Sequence, residues 1–196
     1  ENEDFILINK PSGIAVHSGT NQSVDFLSSL KTALSRNELS LVHRLDKSTS
    51  GCLLVSKNYQ SASHLGKRFS QRDIKKKYFA LLTGRLEKNV VEIESRIHKN
   101  IFKKKMNSSD VKGKDAYTKI TLLKLFKSYS YVEIEIETGR THQIRAHAAS
   151  IGHPVVGDNK YGGKISKTQN KLIKLHRIFL QSYYLSFYYN KEYEFV

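Results

Sequence analysis

A strict two-residue alternation over residues 131–137 constrains the fold of this chain most. Three aliphatic side chains alternate there with three carboxylates: Val132, Ile134 and Ile136 with Glu133, Glu135 and Glu137. Successive side chains of a strand point to opposite faces, so this pattern predicts a strand with one buried and one solvated face. The apolar stretch 117–126 precedes it, and the residues between, 127–130, predict a hairpin turn. We therefore expect antiparallel strand pairing at the centre of the fold.

Other apolar stretches predict the remaining elements, and they do not follow a regular strand–helix–strand repeat. Strands are expected over residues 5–8, 52–55, 77–82 and 178–189, and helices over 24–34, 59–69 and 144–151. The polar, lysine-rich residues 164–174 are expected to form a mobile loop. This order predicts an α+β fold, in which helices and loops flank a mixed, mostly antiparallel central sheet.

Length and residue usage predict a single-domain protein of a reducing compartment. The 196 residues are expected to form one domain over residues 1–196. Cys52 is the only cysteine, which excludes a disulfide framework and a zinc site built from cysteines. No apolar run approaches the roughly 18 residues of a membrane span, and residues 1–20 lack the pattern of a signal peptide. We expect a cytoplasmic protein with no membrane partner.

The charge of the chain predicts a polyanionic partner. Lys and Arg number 33 against 18 Asp and Glu, so the formal net charge is +15. Residues 96–127 alone hold ten basic and two acidic side chains, a net charge of 10 − 2 = +8. Lysine binds phosphate backbones without reading their sequence. We expect Lys103, Lys104 and Lys105 to contact nucleic-acid phosphates; a merely solvated lysine-rich surface is the alternative.

Several familiar cofactor signatures fail at a required position. A phosphate-binding loop that ends at Lys164 needs glycine where Asp158 stands. A zinc-protease helix places its histidines at i and i+4, whereas His142 and His147 are further apart. We therefore expect no metal, no nucleotide cofactor and no other cofactor.

Three polar clusters interrupt the apolar pattern and are candidates for chemistry. They are Leu41–Gly51, Lys75–Gly84 and Thr138–His147. Taken singly, each has an ordinary structural explanation. Arg44 and Asp46 would brace a turn as an ion pair, and Tyr78 would belong to the core. The third cluster would be a helix N-terminus capped by Thr141.

Taken together and in this order, the clusters resemble those of the RluA-type pseudouridine synthases, most closely the ribosomal large-subunit pseudouridine synthase C group. The resemblance extends over Asn9–His17, His43–Asp46, Lys77–Tyr78, Lys114–Thr118, Gly139–Arg145, Gly152–Gly162 and His176–Leu180. It implies the pseudouridine synthase fold, with a central active-site cleft, and an isomerase that needs no cofactor. We expect the chain to hold the catalytic domain alone, without the S4-type RNA-binding domain that many relatives carry.

The resemblance assigns roles to four residues. Asp46 matches the catalytic carboxylate, which is ionised at neutral pH and so can act as nucleophile or base without activation. Arg145 matches the arginine that pairs with this carboxylate, and Tyr78 matches the tyrosine that stacks on the target base. Arg44 matches a residue that enters the helix from which the base has been flipped out.

Further residues are expected to support these four. His43, His142, Gln143, Lys10 and His17 are assigned to a supporting shell, with His142 and Gln143 expected to hold the local backbone. Arg140 is expected to bind a phosphate or to brace the turn before its helix. Asp158 follows a glycine and is expected to cap the turn there.

Four functions remain to be weighed. The first is modification of uridines in 23S ribosomal RNA by a monomeric enzyme, and the second is the same chemistry on transfer RNA. The third is a non-catalytic RNA-binding factor of ribosome assembly. A metal-dependent nuclease using His43 and Asp46 is the fourth, and it lacks the expected carboxylate cluster, because no acidic residue follows Asp46 until Asp73.

Overall fold

The structure is a computed structural model that describes residues 1–17, 25–100, 105–109, 113–163 and 177–196. Its elements are β1 (Phe5–Lys10), α1 (Phe26–Leu34), β2 (Ser40–Leu41), β3 (Ser50–Ser56), α2 (Tyr59–Ser70), β4 (Ile74–Thr83), β5 (Val90–Asn100), β6 (Lys105–Ser109), β7 (Lys114–Leu125), β8 (Tyr129–Ile136), α3 (Gln143–Ser150), β9 (Leu180–Tyr188) and β10 (Glu192–Phe195). Strands outnumber helices, and the α+β prediction is confirmed. None of the helices in these ranges is long and apolar enough to cross a membrane.

The chain forms two compact units. The first unit comprises Glu1–Lys75 and Ser182–Val196, and the second unit comprises Lys76–Gln181. The prediction of one catalytic domain over residues 1–196 concerns function as well as packing, and it stays a prediction.

In the first unit, antiparallel strands surround an aromatic core. β1 pairs with β3 along its whole length, β2 pairs with the end of β3, and β10 pairs with β9, the other neighbour of β3. The Phe5 ring packs edge-on against Phe187 and Tyr193, with centroids 5.5 and 4.9 Å apart. Helix α2 begins where Asn58 accepts a bond from the amide of Ser61 at 2.8 Å, a capping contact that satisfies one orphan donor of the first turn.

In the second unit, the strands follow the order β4-β8-β7-β5-β6, and the pairings of β8 with β4 and β7, and of β5 with β7 and β6, are antiparallel. The alternation that predicted β8 is realised as expected. Val132 and Ile134 are fully buried, whereas Glu135 is exposed. The predicted hairpin is also confirmed, with a turn tighter than expected, because the amide of Phe126 already donates to the carbonyl of Tyr129 at 2.8 Å.

Two strands of the second unit, β5 and β6, were not predicted. In β5 the buried residues Ile93 and Ile97 alternate with exposed charged residues, but a serine, Ser95, stands between them in the same row. Its hydroxyl bonds to His147 and to Ser108, so the polar residue is satisfied inside the fold. The alternation therefore looks broken in the sequence although the strand continues.

The predicted boundaries differ elsewhere by a few residues. β9 begins at Leu180 rather than at residue 178, because the amide of Phe179 is bonded to the carbonyl of Val156 instead of entering the strand. Helix α1 begins at Phe26, with Asp25 as its cap. The predicted start of α1 at residue 24 and the predicted loop over residues 164–174 lie outside the described residues.

Candidate functional site

The loop that carries Asp46 leads into β3 of the first unit. Leu45 is buried and anchors the loop, while its neighbours Arg44 and Asp46 are exposed and half-buried respectively. The carbonyl of Asp46 accepts a bond from the amide of Thr49 at 3.0 Å, which closes a tight turn. One residue into β3, Gly51 has φ +108°, and a Cβ there would lie 1.9 Å from the carbonyl oxygen of Ser182. Only glycine allows this close approach of β3 to β9.

The buried ammonium of Lys10 holds this loop. Lys10 is fully buried, and its Nζ donates to the carbonyl oxygens of Pro11 (2.7 Å), Ile14 (2.9 Å) and Lys47 (3.4 Å). Burial lowers the pKa of Lys10 to about 8, against the opposing attraction of the Asp46 charge. At neutral pH Lys10 is therefore a buried cation that ties the chain on both sides of the loop together, close enough to Asp46 to interact with its charge.

Two backbone-directed bonds from the turn after β1 reinforce the loop. The amide of Gly13 donates to the carbonyl of Lys47 at 2.8 Å, and the Ser12 hydroxyl donates to the carbonyl of Ser48 at 2.6 Å. Gly13 has φ +97°, a conformation that glycine adopts readily. The residues that follow Asp46 are thus fixed through their carbonyl groups.

His43 fixes the other end of the loop. The amide of Leu54 donates to Nε2 of His43 at 2.8 Å, so this nitrogen carries a lone pair rather than a proton. The ring also stacks on Phe69, with centroids 4.4 Å apart. On the exposed side, Nη1 of Arg44 lies 3.4 Å from Nε2 of His17. One end of the loop is therefore anchored by contacts of His43 with the fold, whereas the exposed side of the loop carries polar groups.

In the second unit, Tyr78 lies on β4 opposite Ile134 of β8 and is largely buried. It shares a strand face with the buried residues Lys76 and Ala80. The ammonium of Lys76 donates to the carbonyl of Glu137 at 3.3 Å. On this face Tyr78 thus stands between the buried ammonium of Lys76 and the apolar Ala80.

Arg145, on α3 of the second unit, forms a bidentate ion pair with Asp158. Its Nε and Nη2 donate to the two carboxylate oxygens at 2.7 and 2.9 Å, and the side chains are only 9% and 0% exposed. The guanidinium carbon also lies 4.9 Å from the centroid of the Tyr161 ring. Such a fork-to-fork pair fixes both the position and the plane of the guanidinium.

Asp158 caps the turn as predicted. Its Oδ1 accepts from the backbone amides of Lys160 (2.9 Å) and Tyr161 (3.1 Å), in addition to its bond with Arg145. The expectation that His142 holds the local backbone stays a prediction; its Nδ1 is hydrogen-bonded to the Tyr161 hydroxyl at 2.9 Å. His142 is the cap residue of α3, with φ 55° and no capping bond from its side chain, so Thr141 does not cap the helix.

Gln143 performs the local bonding expected of it. Its Oε1 accepts from the Arg140 amide at 3.1 Å and from the Thr138 hydroxyl at 2.7 Å, and its Nε2 donates to the Tyr117 carbonyl at 2.8 Å. The Gln143 amide group therefore ties the backbone before α3 to Tyr117 of β7. Arg140 itself donates from Nε to the carbonyl of Asp115 at 3.0 Å.

A neutral polar layer lies beneath α3. His147 is fully buried, with Nδ1 2.9 Å from the Thr118 hydroxyl and Nε2 3.1 Å from the Ser95 hydroxyl. Burial lowers the pKa of His147 to about 4, so the ring is uncharged at neutral pH. The layer connects α3 to β5 and β7 by neutral hydrogen bonds.

The structure thus groups the predicted site residues within the units to which they belong. The first unit holds Lys10, His17, His43, Arg44 and Asp46, and the second unit holds Tyr78, Arg140, His142, Gln143 and Arg145. The predicted pairing of Asp46 with Arg145 joins residues of different units and stays a prediction. Lys103 and Lys104 lie outside the described residues, and Lys105 is the first residue of β6.

Sequence reasoning missed the partner of Arg145. Asp158 was expected only to cap a turn, and Tyr161 was assigned no role. The one signal in the sequence was Gly157, because a glycine favours a tight turn. In the structure Gly157 has φ +85° and stands directly before Asp158 of the ion pair. Across the described ranges, no group of three or more His, Cys, Asp or Glu side chains is arranged to hold a metal ion.

Comparison with known proteins points to one family. Residues 4–150 match the family described as RNA pseudouridylate synthase. A ribosomal large subunit pseudouridine synthase C of Rickettsia prowazekii is 38% identical over 182 residues, which cover 90% of this chain and 59% of the relative. An uncharacterised RNA pseudouridine synthase of Aquifex aeolicus is 36% identical over 96% of this chain and 63% of its own length. The chain therefore spans about 60% of the length of these relatives.

Solved structures agree with the sequence comparison. Human RNA Pseudouridylate Synthase Domain Containing 1 superposes with a TM-score of 0.84 at 28% identity, over 99% of this chain and 79% of that protein. Human RNA Pseudouridylate Synthase Domain Containing 4 gives a TM-score of 0.81 at 25% identity, over the whole chain and 85% of that protein.

Proposed function

The chain belongs to the RNA pseudouridylate synthase family, and from this we propose that it isomerises uridines within RNA to pseudouridine. In this reaction the bond from N1 of uracil to C1′ of the ribose breaks, and a bond from C5 to C1′ forms. N1 gains a proton and C5 loses one, so the atoms balance without a cofactor. The observation that carries the proposal is the Asp46 loop. Asp46 is half-buried, and the buried ammonium of Lys10 fixes the backbone next to it.

We propose Asp46 as the catalytic carboxylate. An ionised carboxylate needs no activating base to act as a nucleophile or to accept a proton. The loop geometry suits this task, because Lys10, Gly13 and Ser12 bind the backbone carbonyls of the two residues after Asp46 and so fix the backbone that carries its side chain. Held in this way, the carboxylate would keep its position while the substrate changes around it.

Arg145 and Tyr78 are proposed to complete the catalytic set. A guanidinium that never loses its charge would orient Asp46 and keep it anionic. A tyrosine would stack on the flipped uracil and would offer its hydroxyl to the proton that leaves C5. The support for Arg145 is its fixed orientation against Asp158; the support for Tyr78 is its place on the buried face of β4, after the buried Lys76.

RNA binding is proposed to begin with the exposed basic side chains. The glycosidic carbon of a paired uridine is inaccessible, so the base must be flipped out at a cost of a few kcal/mol. Arg44 is exposed beside Asp46 and would fill the space that the base leaves. Arg140, Lys103, Lys104 and Lys105 would bind phosphates, with Arg140 also bracing its turn through Asp115. Neutralising the three lysines together should reduce the dependence of RNA affinity on salt by about one phosphate for each lost contact.

Ribosomal RNA of the large subunit is the proposed substrate, by analogy with the relatives whose names specify that RNA. The enzyme would act as a monomer in the cytoplasm, and residues 1–196 would constitute its catalytic domain. Transfer RNA is the second candidate substrate of the same chemistry. A non-catalytic RNA-binding role is disfavoured, because a protein that only binds RNA has no need for Asp46, Tyr78 and Arg145 together.

The test is release of tritium from RNA labelled at C5 of uridine. Purified protein is incubated with 23S ribosomal RNA or with a transfer RNA pool, and tritium is released only where C5 forms its new carbon bond. We expect release from ribosomal RNA by the unmodified protein and none by Asp46→Asn. Asp115→Asn, which removes a carboxylate from an exposed ion pair with Arg96, is the matched control and should release tritium normally.

The outcomes separate the candidates. Release from transfer RNA alone would move the substrate to the second candidate. Tight RNA binding with no release from either RNA would leave the non-catalytic role and refute the proposed activity. Chemical mapping of pseudouridine in RNA from a deletion strain would then identify the modified position.

A further inference from the structure

Two different contacts fix the guanidinium of Arg145. Asp158 engages it with both carboxylate oxygens, and the Tyr161 ring covers it at 4.9 Å. Buried ion pairs contribute little net stability compared with apolar residues of similar size. A buried bidentate pair that includes a proposed catalytic residue is therefore better explained by the group that it positions.

Asp158 is itself fixed in place. One carboxylate oxygen accepts two backbone amides, from Lys160 and Tyr161, so the side chain has a single orientation. The residue before it, Gly157, approaches the chain so closely that a Cβ would lie 2.1 Å from the carbonyl oxygen of Arg177. The carboxylate thus stands on a rigid turn, and its second oxygen is aimed at Nε of Arg145.

Tyr161 is fixed in the same way. Its amide is bonded to Asp158, and its hydroxyl is bonded to His142, the cap residue before α3. His142 is one of three residues other than glycine with positive φ among the described ones, a conformation that costs free energy. The Tyr161 ring is therefore held from two sides while one face covers the guanidinium.

We propose that Asp158 and Tyr161 are positioning residues that set the location and plane of the Arg145 guanidinium for catalysis. This inference rests on the proposed function, in which Arg145 orients the Asp46 carboxylate. Asp158 accepts bonds from Nε and Nη2, so the guanidinium meets any other anion with its remaining N–H groups, in one orientation. Asp158 would act through Arg145 and would not contact the RNA.

The test compares single and double substitutions in the same tritium-release assay. Asp158→Asn keeps an oxygen for the two backbone amides but removes the charge and sets an NH2 group against Nε of Arg145. We expect kcat to fall by about tenfold to a hundredfold, as misplacing a reacting group by about 1 Å can do, with RNA affinity within about threefold of normal. In a chain that already carries Arg145→Lys, adding Asp158→Asn should lower kcat no further.

A second pair of variants keeps the inference testable if Asp158→Asn does not fold. Tyr161→Phe keeps the ring over the guanidinium but loses the bond to His142, so it should lower kcat less than Tyr161→Leu, which removes the ring and should lower kcat several-fold. Glu133→Gln is the control, since it breaks another ion pair of the second unit, 3.2 Å from Lys77. It should change neither kcat nor affinity.

Each possible result of these assays has one interpretation. If the unmodified protein releases no tritium from any RNA, the proposed function fails. If it is active and the effects of Asp158→Asn and Arg145→Lys multiply, Asp158 supports the fold and not Arg145, and the inference is overturned. Equal kcat for Tyr161→Leu and Tyr161→Phe would remove Tyr161 from the positioning role.

Discussion

The two units hold their proposed catalytic charges in opposite ways. In the first unit, the buried cation Lys10 binds the backbone around Asp46 and leaves the carboxylate itself half-exposed. In the second unit, the buried anion Asp158 binds the functional group of Arg145 directly and desolvates it. The first arrangement fixes the backbone that carries the side chain, and the second fixes the charged group at the end of the side chain.

This difference matches the tasks proposed for the two residues. A carboxylate that attacks or accepts a proton must reach a substrate that moves, so its support belongs on the backbone. A guanidinium that orients a partner should not move, so its support belongs on the charged group. Stability measurements can therefore separate the two arrangements, because losing a direct partner strands a buried charge and losing a backbone brace does not.

The largest expected loss follows Asp158→Ala. This change leaves the Arg145 guanidinium buried without its partner and removes the acceptor of two backbone amides. Removing one member of a buried pair costs about 3–5 kcal/mol. Urea unfolding followed by circular dichroism at pH 7 should show this decrease in the free energy of unfolding. A loss below about 1 kcal/mol would mean that water reaches Arg145 and that the pair resembles a surface ion pair.

Acid should weaken the second unit through His147. The pKa of His147 is lowered by burial from about 6.5 to about 4 in the folded chain. Between these values the unfolded chain binds a proton that the folded chain does not, so stability is fully present above pH 6.5 and is lost as pH falls towards 4. From pH 7 to pH 5 the contribution of this group should fall by about 2 kcal/mol.

A variant without the imidazole isolates that contribution. His147→Gln cannot titrate in this range, so its stability should depend less on pH between 7 and 5 by the same amount. Urea unfolding at both pH values measures the difference. The same pH dependence in both proteins would place the acid-sensitive group elsewhere.

A smaller loss is expected from Lys10→Met in the first unit. The thioether fills similar space but donates no bond, so the carbonyls of Pro11, Ile14 and Lys47 lose a donor. Unsatisfied acceptors cost about 1–3 kcal/mol each when water cannot reach them. Two effects reduce this cost: the loop is partly exposed, and the variant no longer buries a charge. We therefore expect urea unfolding to show a decrease of about 1–2 kcal/mol in the free energy of unfolding. A loss as large as that of Asp158→Ala would erase the contrast between the units.

The sequence predicted the parts of this molecule that depend on local pattern. The alternation over 131–137 placed the start of β8 within two residues and its end within one, because the period of a strand is read directly from its side chains. The fold class followed from the order of such elements. Ser95 marks the limit of this reasoning, since its partner His147 lies 52 residues further along the chain and no local pattern reveals that bond.

The supports of the candidate site were unpredictable for the same reason. Lys10 binds a carbonyl 37 residues away, and Arg145 binds a carboxylate 13 residues away, beyond the end of α3. Both contacts depend on how turns bring separate segments together. Resemblance to a family supplied the identities of Asp46 and Arg145, but which groups hold them in place is known only from the structure.

The smallest change in stability is expected for Asp46→Asn, the variant that is proposed to lose all activity. Asp46→Asn keeps the size of the side chain, and it leaves unchanged the backbone bonds of the loop, those from the Thr49 amide to the Asp46 carbonyl and from Lys10 and Ser12 to the carbonyls that follow. The free energy of unfolding should change by no more than about 0.5 kcal/mol, the range of substitutions away from buried networks. If Asp46→Asn instead destabilised the chain by about 3 kcal/mol, the carboxylate would be a structural partner like that of Asp158. The contrast between a braced backbone and a clamped side chain would then be wrong for the first unit.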